Sequence, residues 1–282
     1  MRIEEEDKQT ANRPISPPQA STSIPAITRL SPIKAWVAPL LLGTVGFVAV
    51  HPFDGTLSHA AQRLADHLGG DLKRELFAWQ QYGQGFAVII IALAIWLQDP
   101  VRRRRLLDLG LAVIVAEAVA HGGKLLVGRP RPRPQFDDPR TFLTPWGEYP
   151  ILVDGKLRLV HAWDLAAGAN TDLWSMPSSH TLFAAMLSVF VATLYPRLRW
   201  LVAGLTVLVA FGRVLFDAHW PTDVIVGGCL GYIVGSLVVA NYAGVRLVDA
   251  LWKAVIDRAA TPALPTLLAS ESIRHGDDQA RG

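Results

Sequence analysis

Arg213, His219 and Asp223 stand within Phe211-Gly212-Arg213-Val214-Leu215-Phe216-Asp217-Ala218-His219-Trp220-Pro221-Thr222-Asp223, where polar residues interrupt otherwise apolar sequence. An Arg or Asp at a bilayer centre costs about 2.5 to 3.5 kcal/mol on insertion scales, so polar residues set between two apolar spans belong at a water-facing end. Pro221 and Thr222 are suited to open a helix, because proline is tolerated in a first turn and a threonine oxygen satisfies free backbone donors there. Asp223 then falls in a first turn, four residues after His219. A carboxylate there is favoured by the helix dipole and accepts a proton from one imidazole nitrogen, which leaves the other nitrogen's lone pair free. That is how a nucleophilic or basic histidine is oriented. A lone interfacial histidine beside a capping aspartate has the same spacing.

Two further stretches carry groups that suit the same chemistry. Glu117, His121 and Lys124 are spaced four and three apart and share one helix face, which is expected to point into a bundle because lipid penalises all three. Lys124 leads into Gly128-Arg129-Pro130-Arg131-Pro132. A helix continued through this segment stacks Lys124 and Arg131 on one side, whereas a stop at Gly128 or Pro130 leaves Arg131 just beyond its end. A snorkelling lysine with juxtamembrane arginines is the bland reading. Pro177-Ser178-Ser179-His180-Thr181 runs straight into apolar sequence, so Ser178 and Ser179 cap a helix whose free amides make an anion site with His180 at its mouth.

Three cations, Lys124, Arg131 and Arg213, plus free amides match a phosphoryl group, whose transfer spreads charge over three equatorial oxygens. In that reading His219 attacks phosphorus, and His180 protonates the leaving oxygen and later activates water. No acidic cluster with metal-ligand spacing accompanies these residues, so no metal is expected and the fixed cations replace it.

The elements that position these residues are helices in a membrane. Of 282 residues 51% are hydrophobic, and the mean hydropathy is +0.28. Six apolar stretches stand out: Ala35–Val50, Tyr82–Leu97, Leu106–Val127, Thr181–Tyr195, Trp200–Phe216 and Val224–Val245. The expected fold is all-α and polytopic, with six transmembrane helices and a partly ordered extracytoplasmic loop over residues 133–176. In that loop Asp154-Gly155, between Ile151-Leu152-Val153 and Lys156-Leu157-Arg158-Leu159-Val160, is a hairpin signal. Leu57, Ala61, Leu64 and Leu68 recur at helical spacing and predict a helix lying along the membrane surface after the first span.

The net charge of +3 matters less than its placement. Arg102-Arg103-Arg104-Arg105 and the pair Arg197 and Arg199 lie in short loops expected to face the cytoplasm, so both termini are expected inside and the histidines outside. Topology explains the arginine run better than nucleic-acid binding does. Residues 1–33 are expected to be a disordered cytoplasmic tail, 34–245 the six-helix membrane domain, and 246–282 an amphipathic helix followed by a polar tail. The single cysteine, Cys229, supports neither a disulfide framework nor a cysteine metal site. The acidic, Pro-rich start is not expected to be a signal peptide.

Lys124 with Arg131-Pro132, then Pro177-Ser178-Ser179-His180, then Arg213 with His219 and Asp223, resemble in order and spacing the three signature motifs of the type-2 phosphatidic acid phosphatase superfamily. The resemblance covers about residues 35–245. It implies a six-helix membrane fold and cofactor-free, metal-independent hydrolysis of a membrane lipid phosphate. It also implies a phosphohistidine on His219, His180 as acid and base, and Asp223 as partner of His219. Lys124, Arg131, Ser178, Ser179 and Arg213 are implied to bind phosphate. Two positions depart from the family pattern: Gly212 stands where serine is usual, and Ser179 where glycine is common. Within the family, phosphatidic acid, phosphatidylglycerophosphate, polyprenyl diphosphate and lipid A phosphatases and lipid phosphotransferases share these motifs. A catalytically silent anion-binding membrane protein is the reading from another class, and it has no need of an oriented nucleophile.

Overall fold

The computed structural model describes residues 31, 33–132, 141–143, 146–153, 156–164 and 170–270. The expected N-terminal tail, the Asp154-Gly155 turn and the polar C-terminal tail therefore lie, wholly or nearly so, outside the described residues. The chain is mostly helical: α1 (Ala38–Val50), α2 (Asp54–His67), α3 (Gly70–Trp79), α4 (Gly85–Gln98), α5 (Leu106–Val127), α6 (Ser179–Leu194), α7 (Arg199–Leu215), α8 (Pro221–Val239) and α9 (Ala243–Val255). Strands β1 (Tyr149–Val153) and β2 (Lys156–Val160) pair antiparallel, with Tyr149 opposite Val160 and Val153 opposite Lys156.

Each apolar stretch falls on a helix, but crossing length is unevenly shared. Among the described residues four helices are long and apolar enough to cross a membrane: Ile33–His67, Pro100–Val127, Pro196–Leu215 and Pro221–Val239. A fifth is available if Gly70–Gly83 and Gly85–Gln98, bent by 63° at their junction, form one broken span. This is an integral membrane protein. α6 has only 16 residues, against the ~20 that a lone crossing wants. It is the core of the bundle instead: Leu182, Ala184, Met186, Leu187 and Phe190 are buried, against α5, α7 and α8. A helix apolar on every side is stable only inside such a shell. Gly227, Gly231 and Gly235 of α8 meet α6 directly; a Cβ on Gly235 would lie 2.8 Å from Val189 Cβ, so side chains there would force the helices apart.

Three expectations need correction. The Leu57–Leu68 segment is not a separate surface helix: α1 winds through His51–Phe53 into α2 without a break, giving one helix Ile33–His67. Pro52 lies in a single 3₁₀ turn, His51–Phe53, and the chain stays right-handed helical through it, with His51 at φ −52° and Asp54 at φ −51°. Its 35 residues span about 52 Å, more than the ~30 Å hydrocarbon core, so one end projects beyond it. The last apolar stretch also stops early, at Val239, because Tyr242 adopts a left-handed conformation (φ 53°) and α9 starts after it. Finally, Glu117 and His121 do not turn into the bundle. They pair at 2.9 Å and are both about half exposed, on the wall of an open cleft between α4, α5 and α6.

The two ends of the bundle differ in chemistry. At one end Arg105 donates to Asp108 (2.6 Å) and to the Val239 carbonyl (2.8 Å), joining the start of α5 to the end of α8. Arg102 pairs with Asp99 at 2.9 Å beside the end of α4. At the other end lie the start of α6, the α7–α8 junction and the end of α5, where the residues singled out by chemistry collect.

Candidate active site

The α7–α8 junction is short because it is wound back on α7. The Arg213 carbonyl accepts from the amides of both Ala218 and His219, each at 3.1 Å, and Asp217 takes the left-handed conformation (φ 54°) that closes the turn. Aspartate tolerates that conformation better than bulky residues do. His219 is thereby fixed over the helix end that carries Arg213. It is 1% exposed.

His219 Nδ1 lies 2.6 Å from the Ser175 carbonyl oxygen. A carbonyl only accepts, so Nδ1 carries the proton and Nε2 keeps its lone pair. Asp223 Oδ2 is 3.8 Å from Nδ1, too far for a hydrogen bond. The expected direct His219–Asp223 bond is therefore replaced by the backbone of Ser175. The physical reason is competition for the carboxylate: Oδ2 accepts a short bond from the Ser175 hydroxyl and one from the Trp220 amide at 2.9 Å, while Oδ1 accepts from Arg129 at 2.6 Å. Asp223 thus clamps the segment that presents the carbonyl, and its charge remains close to the ring. Burial, followed by the charges of Arg131 and Arg213, outweighs the pull of Asp223 and holds the His219 ring down at about 4, well below the usual histidine range.

The buried cation behind this arrangement is Arg129, a residue the motif reading passed over. Arg129 is wholly buried and donates to Asp223, to the Thr222 hydroxyl (2.8 Å) and to Asp54 of α2 (2.7 Å). Asp54 also accepts from the Thr222 amide at 3.0 Å and, in a short bond, from the Thr222 hydroxyl. One guanidinium therefore ties the start of α2 to the start of α8.

The start of α6 approaches from the opposite side. The Ser178 amide donates to the Asp223 carbonyl at 3.1 Å, which docks the segment on α8. The Ser178 hydroxyl is buried against the Thr181 hydroxyl at 3.1 Å, whereas the Ser179 hydroxyl accepts from Lys124 Nζ at 3.1 Å. The first amides of a helix have no partner within the helix and favour an anion. His180 meets Gln84 from the bend between α3 and α4, Nε2 to Nε2 at 2.8 Å. Gly83 permits that approach, because a Cβ there would collide with the His180 carbonyl. The carboxamide of Gln84 suits both states of the ring: its nitrogen donates to the neutral imidazole, and its oxygen would accept from the imidazolium.

Lys124, Arg131 and Arg213 gather around His180. Arg213, His219, Lys124 and Arg131 are all close enough to His180 for their charges to act on it, and Arg131 acts in turn on Lys124, Arg213 and His219. Arg131 donates to the Ala218 carbonyl at 3.2 Å and Arg213 to Gln80 Oε1 at 3.0 Å. The helix of α5 stops at Gly128, which is left-handed (φ 56°), so Arg131 lies past the helix end instead of stacked two turns above Lys124. A cleft of about 480 Å³ opens beside Lys124, Ser179 and His180, with Val88, Ile89, Val113 and Phe183 along it. Among the described residues no three His, Cys, Asp or Glu side chains converge as a metal-ligand set.

This geometry is accompanied by a match over half the chain: the sequence model of the PAP2 superfamily fits residues 105–246. The chain belongs to the PAP2 superfamily. It is 30% identical over 154 residues to phosphatidylglycerophosphatase B of Haemophilus influenzae, covering 47% of this chain and 63% of that protein. It is 37% identical over 59 residues to an undecaprenyl-diphosphatase of Sulfolobus acidocaldarius, covering 21% of this chain and 29% of that one. Among solved structures, Aquifex aeolicus LpxE aligns with a TM-score of 0.44 at 16% identity, over 64% of this chain and 93% of the other. A PAP2-type phosphatidylglycerolphosphate phosphatase of Bacillus subtilis aligns with a TM-score of 0.41 at 19% identity, over 72% and 92%. Within this PAP2 chain, sequence reasoning missed Arg129, Asp54, Ser175, Gln80 and Gln84. Of these Arg129 and Ser175 stood within the motif stretches, the latter in Trp174-Ser175-Met176-Pro177-Ser178-Ser179-His180-Thr181; the Ser175 contact to His219 is made by backbone and leaves no side-chain signal.

Proposed function

We propose that this PAP2 protein hydrolyses lipid phosphate esters at the extracytoplasmic end of a six-helix bundle through a phosphohistidine on His219. The observation that carries the reading is the Ser175 carbonyl on His219 Nδ1: it fixes the tautomer that leaves the Nε2 lone pair free, on a ring that the charges of Arg131 and Arg213 reach. An anion-binding protein needs the cations but has no use for an oriented imidazole.

In the first step His219 Nε2 forms a bond to phosphorus as the bond from phosphorus to the lipid oxygen breaks. The leaving oxygen takes a proton from His180, which the ring takes up as the phosphate dianion binds and Gln84 turns from donor to acceptor. Lys124, Arg131, Arg213 and the amides of Ser179 and His180 hold the three equatorial oxygens, with Asp223 balancing the charge that appears on the His219 ring. In the second step His180 takes a proton from water, the oxygen attacks phosphorus, and the bond to Nε2 breaks to free phosphate. Gln84 turns its carboxamide to match the protonation state of His180 at each step.

In this reading α1, α4, α5, α6, α7 and α8 make the six crossings and both termini are cytoplasmic. The leading substrate to test is phosphatidylglycerophosphate, the class named for the Haemophilus relative, with undecaprenyl diphosphate as the alternative from the Sulfolobus one. The apolar lining of the cleft beside His180 suits a lipid in either case.

Phosphate release from a panel of glycerolipid, polyprenyl and lipid A phosphates by detergent-purified protein in EDTA tests the proposal. Wild type is expected to turn over at least one of them. It should also yield an acid-labile, alkali-stable labelled protein on brief incubation with a ³²P-labelled substrate. His219→Ala is expected to lose both signals, and His180→Ala to lose about 10²- to 10⁴-fold in rate, the usual share of general acid catalysis. Equal release by wild type and His219→Ala would discard the mechanism.

A further inference from the structure

Gln80 stands in the turn that links α3 to α4 and is 2% exposed. A side chain with two hydrogen-bonding ends is seldom buried unless both are used. Here one end is. Oε1 accepts from Arg213 Nη1 at 3.0 Å, while Nε2 is buried with no partner, and the neighbouring Arg213 Nε is also buried with none. Two adjacent donors thus stand without an acceptor, one of them on a guanidinium that already acts electrostatically on His180 and His219. An anion brought up to these donors would supply the missing acceptor.

The position is also built sterically. The Gln80 carboxamide lies on Gly212, where an added Cβ would stand 3.1 Å from Gln80 Cγ, 3.2 Å from Cδ and 3.3 Å from Nε2. A side chain at 212 and the present position of Gln80 therefore exclude each other unless one of them moves. Glycine at 212 is what lets a residue from a distant turn reach Arg213.

We propose that Gln80 is a positioning residue of the phosphate site, holding Arg213 through its oxygen and offering its amide N–H to a phosphoryl oxygen when the group is bound. This rests on the phosphate-transfer reading above, but it is tested by a measurement that needs no turnover. If Gln80 only fills space, the shape-preserving Gln80→Leu keeps phosphate affinity.

Binding of inorganic phosphate to the full-length protein in detergent, measured by calorimetry, is the first readout, and kcat and KM on a turned-over lipid phosphate are the second. Gln80→Leu is expected to weaken phosphate binding and lower kcat/KM by about 10- to 100-fold, the scale of hydrogen bonds to charged groups, with a lower Tm because Arg213 Nη1 loses its acceptor even as one orphan amide is removed. Gly212→Ser in the wild-type background is expected to lower activity by crowding Gln80. In the Gln80→Ala background the same change is expected to recover at least tenfold of the lost affinity, since its hydroxyl takes the vacated space beside Arg213. Should Gln80→Leu fail to fold, Gln80→Glu decides. Its carboxylate still holds Arg213 but repels phosphate, so weaker binding at unchanged Tm supports the proposal. Unchanged phosphate affinity in Gln80→Leu or Gln80→Glu overturns it, as does no recovery in the double variant. Loss of turnover in wild type with Gln80-dependent phosphate binding would instead sink the hydrolysis reading alone.

Discussion

At the residue scale, His219 is poised by burial. With its ring held down at about 4, it is neutral through neutral and mildly acidic pH, as a nucleophile must be. In ¹⁵N-histidine NMR of the protein in micelles, the signal removed by His219→Gln is expected to titrate near pH 4; a midpoint near the ordinary 6.5 would contradict the buried, cation-flanked setting. The linked stability follows in sign. Between about 4 and 6.5 the unfolded chain binds a proton at this residue that the folded chain refuses, so stability rises with pH over that window. The histidine therefore costs the fold nothing above 6.5 and progressively more as pH falls toward 4. Wild type should lose more Tm than His219→Gln between pH 7 and pH 4.5. The spacing of His219, Asp223 and Arg213 made this residue legible in sequence. Its hydrogen-bond partner was not legible, because any residue at 175 supplies the same carbonyl. Arg129 was hidden for another reason: its partners Asp54 and Asp223 lie 75 and 94 positions away. Arg129→Leu removes the buried cation shared by the two carboxylates and is expected to cost about 3 to 5 kcal/mol, seen as a fall in Tm and in folded yield.

At the element scale, the site depends on a bend. Gly83 ends the turn after α3 and lets it touch the first turn of α6, bringing Gln80 and Gln84 to Arg213 and His180. Gly83→Ala must push the His180 backbone away, an overpacking of about 1 to 3 kcal/mol, and is expected to lower kcat at least tenfold as His180 moves. Gly85→Ala is the control two residues on, where an added Cβ meets nothing within 4 Å; its Tm and kcat should match wild type. Equal kcat in the two variants would show that the bend does not set the site. In sequence the helices themselves were plain, since apolar length marks them. The bend was not, because Gly83 and Gly85 on either side of Gln84 look alike until their neighbours are known. The continuity of α1 into α2 was not legible either, because the spacing of Leu57, Ala61, Leu64 and Leu68 shows a helical face but not that the helix runs on from α1.

At the scale of the whole molecule, orientation in the membrane rests on charge, and the structure divides that charge in two. Of the four arginines at 102–105, Arg102 and Arg105 are buried in ion pairs with Asp99 and Asp108, and each also lies over a tyrosine ring, Tyr195 at 4.7 Å and Tyr242 at 3.8 Å. Their charges are neutralised within the protein and serve to fasten α5 to its neighbours. Arg103 and Arg104 are left facing outward, together with Arg197 and Arg199 beside α7. On the proposed topology these four carry the charge bias that retains a loop on the cytoplasmic side, and because α5 runs from this end to Lys124, the histidines then fall on the opposite face. In a Cys229→Ala background, a membrane-impermeant maleimide added to intact cells should label Trp146→Cys, which lies on the site side and is 81% exposed, and should reach Arg104→Cys only after lysis. The reverse pattern would put the site in the cytoplasm. Replacing Arg103 and Arg104 with Glu should weaken the orientation and give mixed labelling, whereas Arg105→Glu should chiefly unfold the junction of α5, α8 and α9, since it sets a carboxylate against Asp108 and the Val239 carbonyl. Topology and stability thus separate within one four-residue run, and labelling together with thermal melts of the same variants distinguishes them.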